Sequence, residues 1–299
     1  MKQRTYDTPA AFKRALEDRL KAGSASGVDF ARRRQLLVFD RFLARVAVAF
    51  GDAVMLKGGL VLELRLARAR TTKDVDLRLA GPSSDILARL QAAGALDLKD
   101  FMLFEIAPDP DRPEIVGDGV QYDGYRFRAE CRLAGKVYGA RFGVDVAFGG
   151  VLSGDVEEIT THDLLGFAGI APPRLRVVPI ETHLAEKLHA YTLPRDRPNT
   201  RVKDLPDLAL LGMIRALDAA RLRAAIARTF DSRRVQPVPT RLPAPPEAWT
   251  TPYARMAELD GLPWRTLAEI EAVARAFLDP VLSFAFEARW DPGSWRWNG

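Results

Sequence analysis

The sequence predicts an α+β fold in which helices flank a small α/β region. Three observations predict it. Apolar residues recur at helical spacing over residues 9–21 and 28–50. Short apolar or alternating runs, which are typical of strands, are concentrated between residues 53 and 148. From about residue 160 the apolar pattern is helical again. This order indicates an α+β domain followed by a mostly helical one.

The length and composition suit a folded protein of one or two domains. The chain has 299 residues, of which 47% are hydrophobic, enough for a substantial core. We place the domains at residues 1–160 and 161–299. The single cysteine cannot form an intrachain disulfide, which suits a reducing compartment. Since the first residues lack the apolar stretch of a signal peptide and no run is long enough to span a membrane, we expect a cytoplasmic protein without a membrane partner.

The overall charge is mildly basic. The formal net charge is +5 and the isoelectric point is about 9.4. Two interpretations are open. A polyanionic partner such as nucleic acid or a nucleotide would be attracted to such a chain, but a solvated arginine-rich surface has the same composition.

The first predicted strands carry the residues of most interest. An apolar run at residues 53–56 meets Gly58-Gly59, which predicts a strand that ends in a tight turn, and a helix is predicted over residues 60–68. Alternation along residues 71–79 then predicts a second strand. Its polar face carries Asp74, Asp76 and Arg78.

The rest of the α/β region follows the same logic. Ser83 is a suitable N-cap for a helix that runs through residue 93. Residues 101–106 predict a strand. Residues 125–148 predict a hairpin that turns at Ala134-Gly135-Lys136, with Asp145 on the polar side of its second arm.

The remainder of the chain is predicted to be helical. The helical segments are 162–169, 182–192, 202–213, 216–229 and 264–288. Between the last two, residues 231–252 carry six prolines, which is typical of an extended strap. The tryptophan-rich tail is expected to pack onto the body of the protein.

Asp74 and Asp76 form a pair of carboxylates with the spacing of a metal site. Side chains two residues apart on a strand lie on the same face, so both carboxylates point to one place. A hard cation such as Mg²⁺ or Mn²⁺ binds anionic oxygens and offsets their mutual repulsion. Surface strands also carry such pairs without a metal.

The context of the pair strengthens the metal interpretation. Gly58 and Gly59 allow a close approach of the backbone to a phosphate, and the following helix would direct N–H groups at it. An ordinary turn between strand and helix would have the same residues. Asp145 has two interpretations, which are a third metal ligand or general base, and an ion-pair partner of Arg141 or Arg78.

Four short stretches together carry a resemblance to a known family. They are Leu56-Lys57-Gly58-Gly59, Arg70-Thr71-Thr72-Lys73-Asp74-Val75-Asp76-Leu77, Glu186-Lys187-Leu188-His189-Ala190 and Arg201-Val202-Lys203-Asp204-Leu205-Pro206-Asp207-Leu208. Combined, they resemble the signature of the AbiEii/AbiGii nucleotidyltransferase toxins, which are type IV toxins of toxin–antitoxin and abortive-infection systems. The resemblance covers roughly residues 35–215.

The resemblance implies a small mixed-sheet nucleotidyltransferase core with N-terminal helices and a C-terminal helical domain. It implies that Asp74 and Asp76 bind metal and take part in catalysis. Lys187 would bind the triphosphate, Asp204 would complete the catalytic set, and Thr72 would lie beside the phosphates. Gly58 and Gly59 would contact the nucleotide through their backbone. This chain has Gly58-Gly59 where classical nucleotidyltransferases have Gly-Ser, so the contact of a serine hydroxyl with phosphate is missing.

The implied activity is metal-dependent transfer of a nucleoside monophosphate from a nucleoside triphosphate to an RNA acceptor such as the 3′ end of tRNA. A cognate antitoxin is the implied protein partner. Two alternatives stay open. The acceptor could be a protein hydroxyl on the same fold, or the chain could be a non-catalytic nucleotide-binding or antitoxin-interaction protein.

Overall fold

The computed structural model describes residues 5–66, 72–115, 124–148, 156–195 and 198–299. The chain divides into two compact units. Residues 1–57, 73–116 and 122–177 form the sheet unit, and residues 58–72, 117–121 and 178–299 form the helical unit. Within the described ranges, no helix combines the length and apolarity that crossing a bilayer requires.

The order of helices and strands agrees with the sequence prediction in the N-terminal part of the chain and differs from it in the C-terminal part. In chain order the helices are α1 Pro9–Ala22, α2 Gly27–Phe50, α3 Gly58–Arg65, α4 Ile86–Gly94, α5 Ile180–Thr192, α6 Asp204–Gly212, α7 Ala219–Arg233, α8 Thr250–Asp260 and α9 Leu267–Ser283. The strands are β1 Val54–Lys57, β2 Asp74–Leu79, β3 Met102–Pro108, β4 Gly124–Leu133, β5 Lys136–Val137, β6 Phe142–Phe148, β7 Glu157–Thr160, β8 Arg174–Val177, β9 Leu217–Asp218, β10 Arg289–Asp291 and β11 Arg296–Asn298. The predicted α+β class is confirmed.

The sheet unit is built on a mixed sheet with β2 near its centre. The strand order is β3-β4-β6-β2-β1-β8-β7, and β5 extends the hairpin by pairing with β4. β2 pairs with β6 in parallel and with β1 antiparallel. Such a central strand has both backbone edges hydrogen-bonded, so side chains on β2 and β6 are held in a defined register.

The two faces of this sheet differ because the strands alternate apolar and polar residues. On β2, Val75, Leu77 and Leu79 are buried. α2 and α4 pack against each other and against strands of this sheet, which accounts for a buried apolar face. The intervening residues Asp74, Asp76 and Arg78 lie on the other face. The sequence prediction that separated these two sets is confirmed.

A buried ion network ties α2 to the start of β3. Asp100 accepts hydrogen bonds from Arg41 Nε at 2.8 Å and from Arg45 at 2.6 and 2.8 Å. All three side chains are at most 3% exposed. Arg45 also donates to the carbonyl of Met102 at 2.6 Å. A buried charge is tolerated only when it is paired in this way, so the network orients α2 on the sheet.

The helical unit has its own core. α5, α6, α7 and α9 pack together, and Leu62 of α3 is buried in the same cluster. β9, β10 and β11 form a small separate sheet. Its Trp290 is fully buried and donates a hydrogen bond to the carbonyl of Gly212 at 2.8 Å. The prediction that the tryptophan-rich tail packs onto the body is confirmed.

Several element predictions are wrong. Residues 162–169 are not a helix but contain only a 3₁₀ turn at Gly166–Ala168, because Gly169 takes φ 72° and ends it. Asp85 rather than Ser83 precedes α4, with φ 56° and no side-chain cap. α8 begins inside the predicted strap, and α9 ends at Ser283 rather than 288. The end of the helix predicted over 60–68 lies partly outside the described residues.

Candidate active site

Asp74 and Asp76 lie on the polar face of β2. Asp74 is exposed and Asp76 is partly buried. In the parallel register between β2 and β6, Asp76 is directly opposite Asp145, and Asp74 is opposite Gly143. Neighbouring strands are roughly 4.8 Å apart, so the three aspartates lie on adjacent positions of the same sheet face.

Gly143 is the residue that lets Asp74 lean across to β6. A Cβ atom built on Gly143 would lie 2.6 Å from Asp74 Oδ1, so any other residue at this position would require the Asp74 carboxylate to move. The carboxylate therefore occupies the space above the backbone of β6. This arrangement draws Asp74 toward the strand that also carries Asp145.

Asp145 is held by an arginine that the sequence analysis did not pair with it. Arg126 of β4 donates to Asp145 Oδ1 from Nε at 2.8 Å and to Oδ2 from Nη2 at 2.9 Å. This two-point contact is the strongest geometry for an arginine and a carboxylate. The hydrogen bond to Asp145 raises the pKa of Arg126, and the negative charge of Asp74 raises it further. Neither Arg141 nor Arg78 is the partner in this ion pair.

The other arginines of this face have carboxylate partners of their own. Arg128 contacts Asp109 at 2.8 Å and Arg132 contacts Glu105 at 2.6 Å. The contact with Arg128, followed by hydrogen bonds from the backbone, lowers the pKa of Asp109 to about 2. Charge on the β4 arginines is therefore locally balanced by acidic groups.

The glycine turn and Thr72 belong to the helical unit. Gly58 has φ 71°, a backbone conformation that favours glycine, and α3 starts at this residue. Gly59 is buried. The backbone N–H of Thr72 donates to Glu63 Oε2 of α3 at 3.1 Å, and both residues are buried. The segment that enters β2 is thereby attached to the helix that follows the glycine turn.

Lys187 lies in a buried charge cluster of the helical unit. Its ammonium on α5 is 3.1 Å from Asp204 Oδ1 and 2.7 Å from Asp207 Oδ2, both on α6. The Lys187 side chain is 12% exposed, whereas Asp207 is fully buried. A lysine between two carboxylates keeps its positive charge and a fixed direction.

Arg201 is a second cation of this cluster. It contacts Asp204 through Nε, and its side chain is 45% exposed. Because Arg201 is the exposed member and Asp207 the most deeply buried one, Asp207 and Lys187 form the inner part of the cluster.

The structure therefore groups the predicted site residues into two sets. Asp74, Asp76 and Asp145 share one face of the sheet unit. The other set belongs to the helical unit and comprises Gly58, Gly59, Thr72, Lys187 and Asp204. Among the described residues, no three His, Cys, Asp or Glu side chains are already arranged as a complete metal site.

The acidic set nevertheless suits a hard divalent cation. Asp74 and Asp76 are carboxylates on one strand face, and the bare backbone at Gly143 leaves room for the Asp74 oxygen. Asp145 is on the neighbouring strand, but Arg126 holds both of its oxygens. These residues fit a metal bound chiefly through Asp74 and Asp76.

Two residues of the site went unassigned in the sequence analysis. Asp207 had a detectable signal, since it lies three residues after Asp204 and so on the same side of the helix. Arg126 had a weaker one. Alternation along residues 125–133 places Arg126 on a polar strand face, but its pairing with Asp145 depends on the register between β4 and β6.

Comparisons with known proteins identify the family of the chain. The family model of the nucleotidyl transferase AbiEii toxin of type IV toxin–antitoxin systems matches residues 41–277. No curated protein sequence matches the chain. The chain is similar in structure to MenT4, a nucleotidyltransferase toxin from Mycobacterium tuberculosis H37Rv, with a TM-score of 0.56 and 19% sequence identity. That match covers 94% of this chain and 92% of MenT4.

Two further structures are more distant. A putative nucleotidyltransferase from H. pylori matches with a TM-score of 0.43 and 13% identity, covering 83% of this chain and 92% of that one. JHP933 from Helicobacter pylori matches with a TM-score of 0.40 and 14% identity, covering 70% and 82%.

The fold of this chain is similar to that of a nucleotidyltransferase toxin. The family model extends over most of the chain, and its match includes both sets of site residues. The chain belongs to the AbiEii family of nucleotidyltransferase toxins of type IV toxin–antitoxin systems. It is a nucleotidyltransferase, and a nucleoside triphosphate is its substrate.

Proposed function

We propose that this protein transfers a nucleoside monophosphate from a nucleoside triphosphate to an RNA acceptor such as the 3′ end of tRNA, with Mg²⁺ held by Asp74 and Asp76. The observation that carries the proposal is the pair of aspartates on β2, one of them opposite Asp145. When bound, the cation neutralises charge on the phosphates and orients the α-phosphate.

The residues of the helical unit have a separate task in this proposal. Lys187 supplies positive charge to the β- and γ-phosphates, and Asp204 and Asp207 keep its ammonium in place. The backbone N–H groups that follow the Gly58 turn, where φ is 71°, would also contact phosphate oxygens, and Thr72 would lie beside them. The acceptor hydroxyl attacks the α-phosphate in line, and pyrophosphate leaves.

The RNA acceptor rests on the family and on the basic charge of the chain, which is +5. It does not rest on the arginines of β4, whose charges are balanced by nearby carboxylates. A cognate antitoxin, as the family implies, would be the protein partner.

The test is incubation with each α-³²P nucleoside triphosphate, Mg²⁺ and total RNA. We expect label in RNA of one size class, and Asp76→Asn should lower incorporation by about 100-fold or more, because the amide loses the charge that binds the cation. Asp52→Asn is the matched control, since the Asp52 side chain is 98% exposed. It should leave incorporation unchanged.

The possible results of this experiment test the acceptor and the metal site separately. Label in protein instead of RNA would show that the acceptor is wrong while nucleotidyl transfer is right. Full activity of Asp76→Asn would show that the β2 aspartates are not the metal site.

A further inference from the structure

Arg126 and Asp145 form a two-point contact on the acidic face of the sheet. Both oxygens of Asp145 are taken by one guanidinium, at 2.8 and 2.9 Å. The pair is only partly exposed, at 31% for Arg126 and 20% for Asp145. An ion pair shielded in this way is stronger than one on an open surface.

The same guanidinium lies where a cation would be attracted. Asp145 is opposite Asp76, and the charge of Asp74 also acts on Arg126. A positive side chain at this place repels a divalent ion and competes with it for Asp145. The guanidinium of Arg126 thus neutralises part of the negative charge of the three aspartates, which would otherwise attract a cation.

We propose that Arg126 is a positioning residue that keeps Asp145 from a divalent cation until an anionic nucleotide draws the guanidinium away. This inference rests on the proposed function, because it assigns a regulatory role within the same acidic site. A triphosphate is a good competitor for the guanidinium, since arginine binds phosphate oxygens with the same two-point geometry that it uses with a carboxylate. Binding of nucleotide would then free Asp145 for the metal.

The proposal predicts opposite effects of one substitution on two ligands. In Arg126→Gln, Mn²⁺ measured alone by electron paramagnetic resonance should bind about five-fold tighter or more, because the competing charge is gone. In the same variant, a fluorescent nucleoside triphosphate measured in EDTA should bind about five-fold more weakly, because a phosphate contact is lost. A general structural defect would weaken both ligands.

Arg128→Gln is the matched control. Arg128 is two residues along the same strand and face, and the charge of Asp74 acts on it as well. Its side chain contacts Asp109 and Asp111, however, and not Asp145, so this control isolates the contact with Asp145. It should change neither affinity by more than about two-fold. The double variant Arg126→Gln/Asp145→Asn should lose the gain in Mn²⁺ affinity, because that gain requires the freed carboxylate. Arg126→Lys, which keeps the charge but not the two-point contact, should lie between wild type and Arg126→Gln.

The results decide the inference independently of catalysis. Unchanged or weaker Mn²⁺ binding by Arg126→Gln would overturn it, and so would an equal gain in Arg128→Gln. If the two opposite shifts are found in a protein that transfers no nucleotide, the inference stands and the proposed function fails. Thermal melting of each variant verifies that the compared proteins are folded.

Discussion

At the scale of single residues, the most consequential group outside the sheet is Lys187. Its ammonium is shared between two buried aspartates of α6. Removal of the lysine would leave two carboxylates close together in a poorly hydrated place. Loss of activity in a Lys187 variant would therefore combine a lost phosphate contact with a lost structural one.

Lys187→Met should destabilise the protein by about 3 to 5 kcal/mol, the usual cost of removing one partner of a buried ion pair. The measurement is urea unfolding followed by circular dichroism. Lys203→Met, at an exposed lysine just before α6, should stay within about 0.5 kcal/mol of wild type. Equal stability of Lys187→Met and wild type would contradict the buried-cluster description.

His189 adds little charge to the helical unit at neutral pH. His189 is buried on α5 beside Arg233, whose Nη1 is 3.0 Å from its Nδ1. Burial first, and then the charge of Arg233, lowers the pKa of His189 to about 4. The imidazole is therefore neutral at pH 7.

The residue scale also shows what sequence could and could not provide for the site. Alternation alone placed Asp74, Asp76 and Asp145 on polar strand faces, and the structure brings those faces together. The ion-pair partner of Asp145 could not be predicted from alternation. It depends on the register in which β4 pairs with β6, and alternation of apolar and polar residues does not specify that register.

At the scale of elements, the hairpin of β4, β5 and β6 explains why the partner of Asp145 could not be predicted from the sequence. Next to the turn, Leu133 is opposite Lys136, and a regular continuation of this register would place Arg126 opposite Gly143. Residues between β5 and β6 shift the register by two positions, so Arg126 is opposite Asp145. A shift of two keeps every side chain on its face, so the apolar pattern is the same with or without it.

α4 lies so close to β3 that it has no room for a methyl group at one position. A Cβ atom on Gly94 would be 2.5 Å from the carbonyl oxygen of Phe104 and 2.6 Å from Ile106 Cδ1. Gly94→Ala should therefore lower stability by about 1 to 3 kcal/mol, because helix and strand must move apart. Thermal melting measures the effect.

Gly27→Ala is the control for that substitution. Gly27 is the first residue of α2 and has no other atom within 4 Å of its added Cβ. Alanine at an open helical position should leave stability equal or raise it by up to about 1 kcal/mol. A similar loss in both variants would mean that the close approach at Gly94 is not the cause.

At the scale of the whole molecule, the tail is part of a core. Trp290 lies 4.6 Å from Phe277 between ring centroids and 4.9 Å from Trp295. Trp290→Ala should destabilise the helical unit by about 3 to 5 kcal/mol, since it empties a large buried volume. Guanidinium unfolding followed by circular dichroism tests this.

Two comparison variants make that test specific. Trp290→Phe keeps a ring but removes the hydrogen bond to Gly212, so a smaller loss of about 1 to 3 kcal/mol is expected. Phe284→Ala changes a side chain that is 58% exposed and should have little effect. If the tail packs only loosely, the three variants should have similar free energies of unfolding.

The fold class was predicted from the sequence, whereas several of the short strands were not. The N-terminal helices and the strands that carry Asp74 and Asp145 were expected close to their observed positions. β7 and β8 have four residues each, and β9 has only two. Strands that short have too few residues for alternation to be distinguished from chance, so they were missed.

The division of the chain has a consequence for how the protein forms during synthesis. The segment that carries Gly58 and Leu62 is early in the chain, yet the core into which Leu62 packs is made of residues after 178. While the ribosome is still translating the N-terminal half, this segment has no completed partner to fold against. The nascent chain should therefore be unable to bury Leu62 until the helices of this core, α9 among them, have been synthesised.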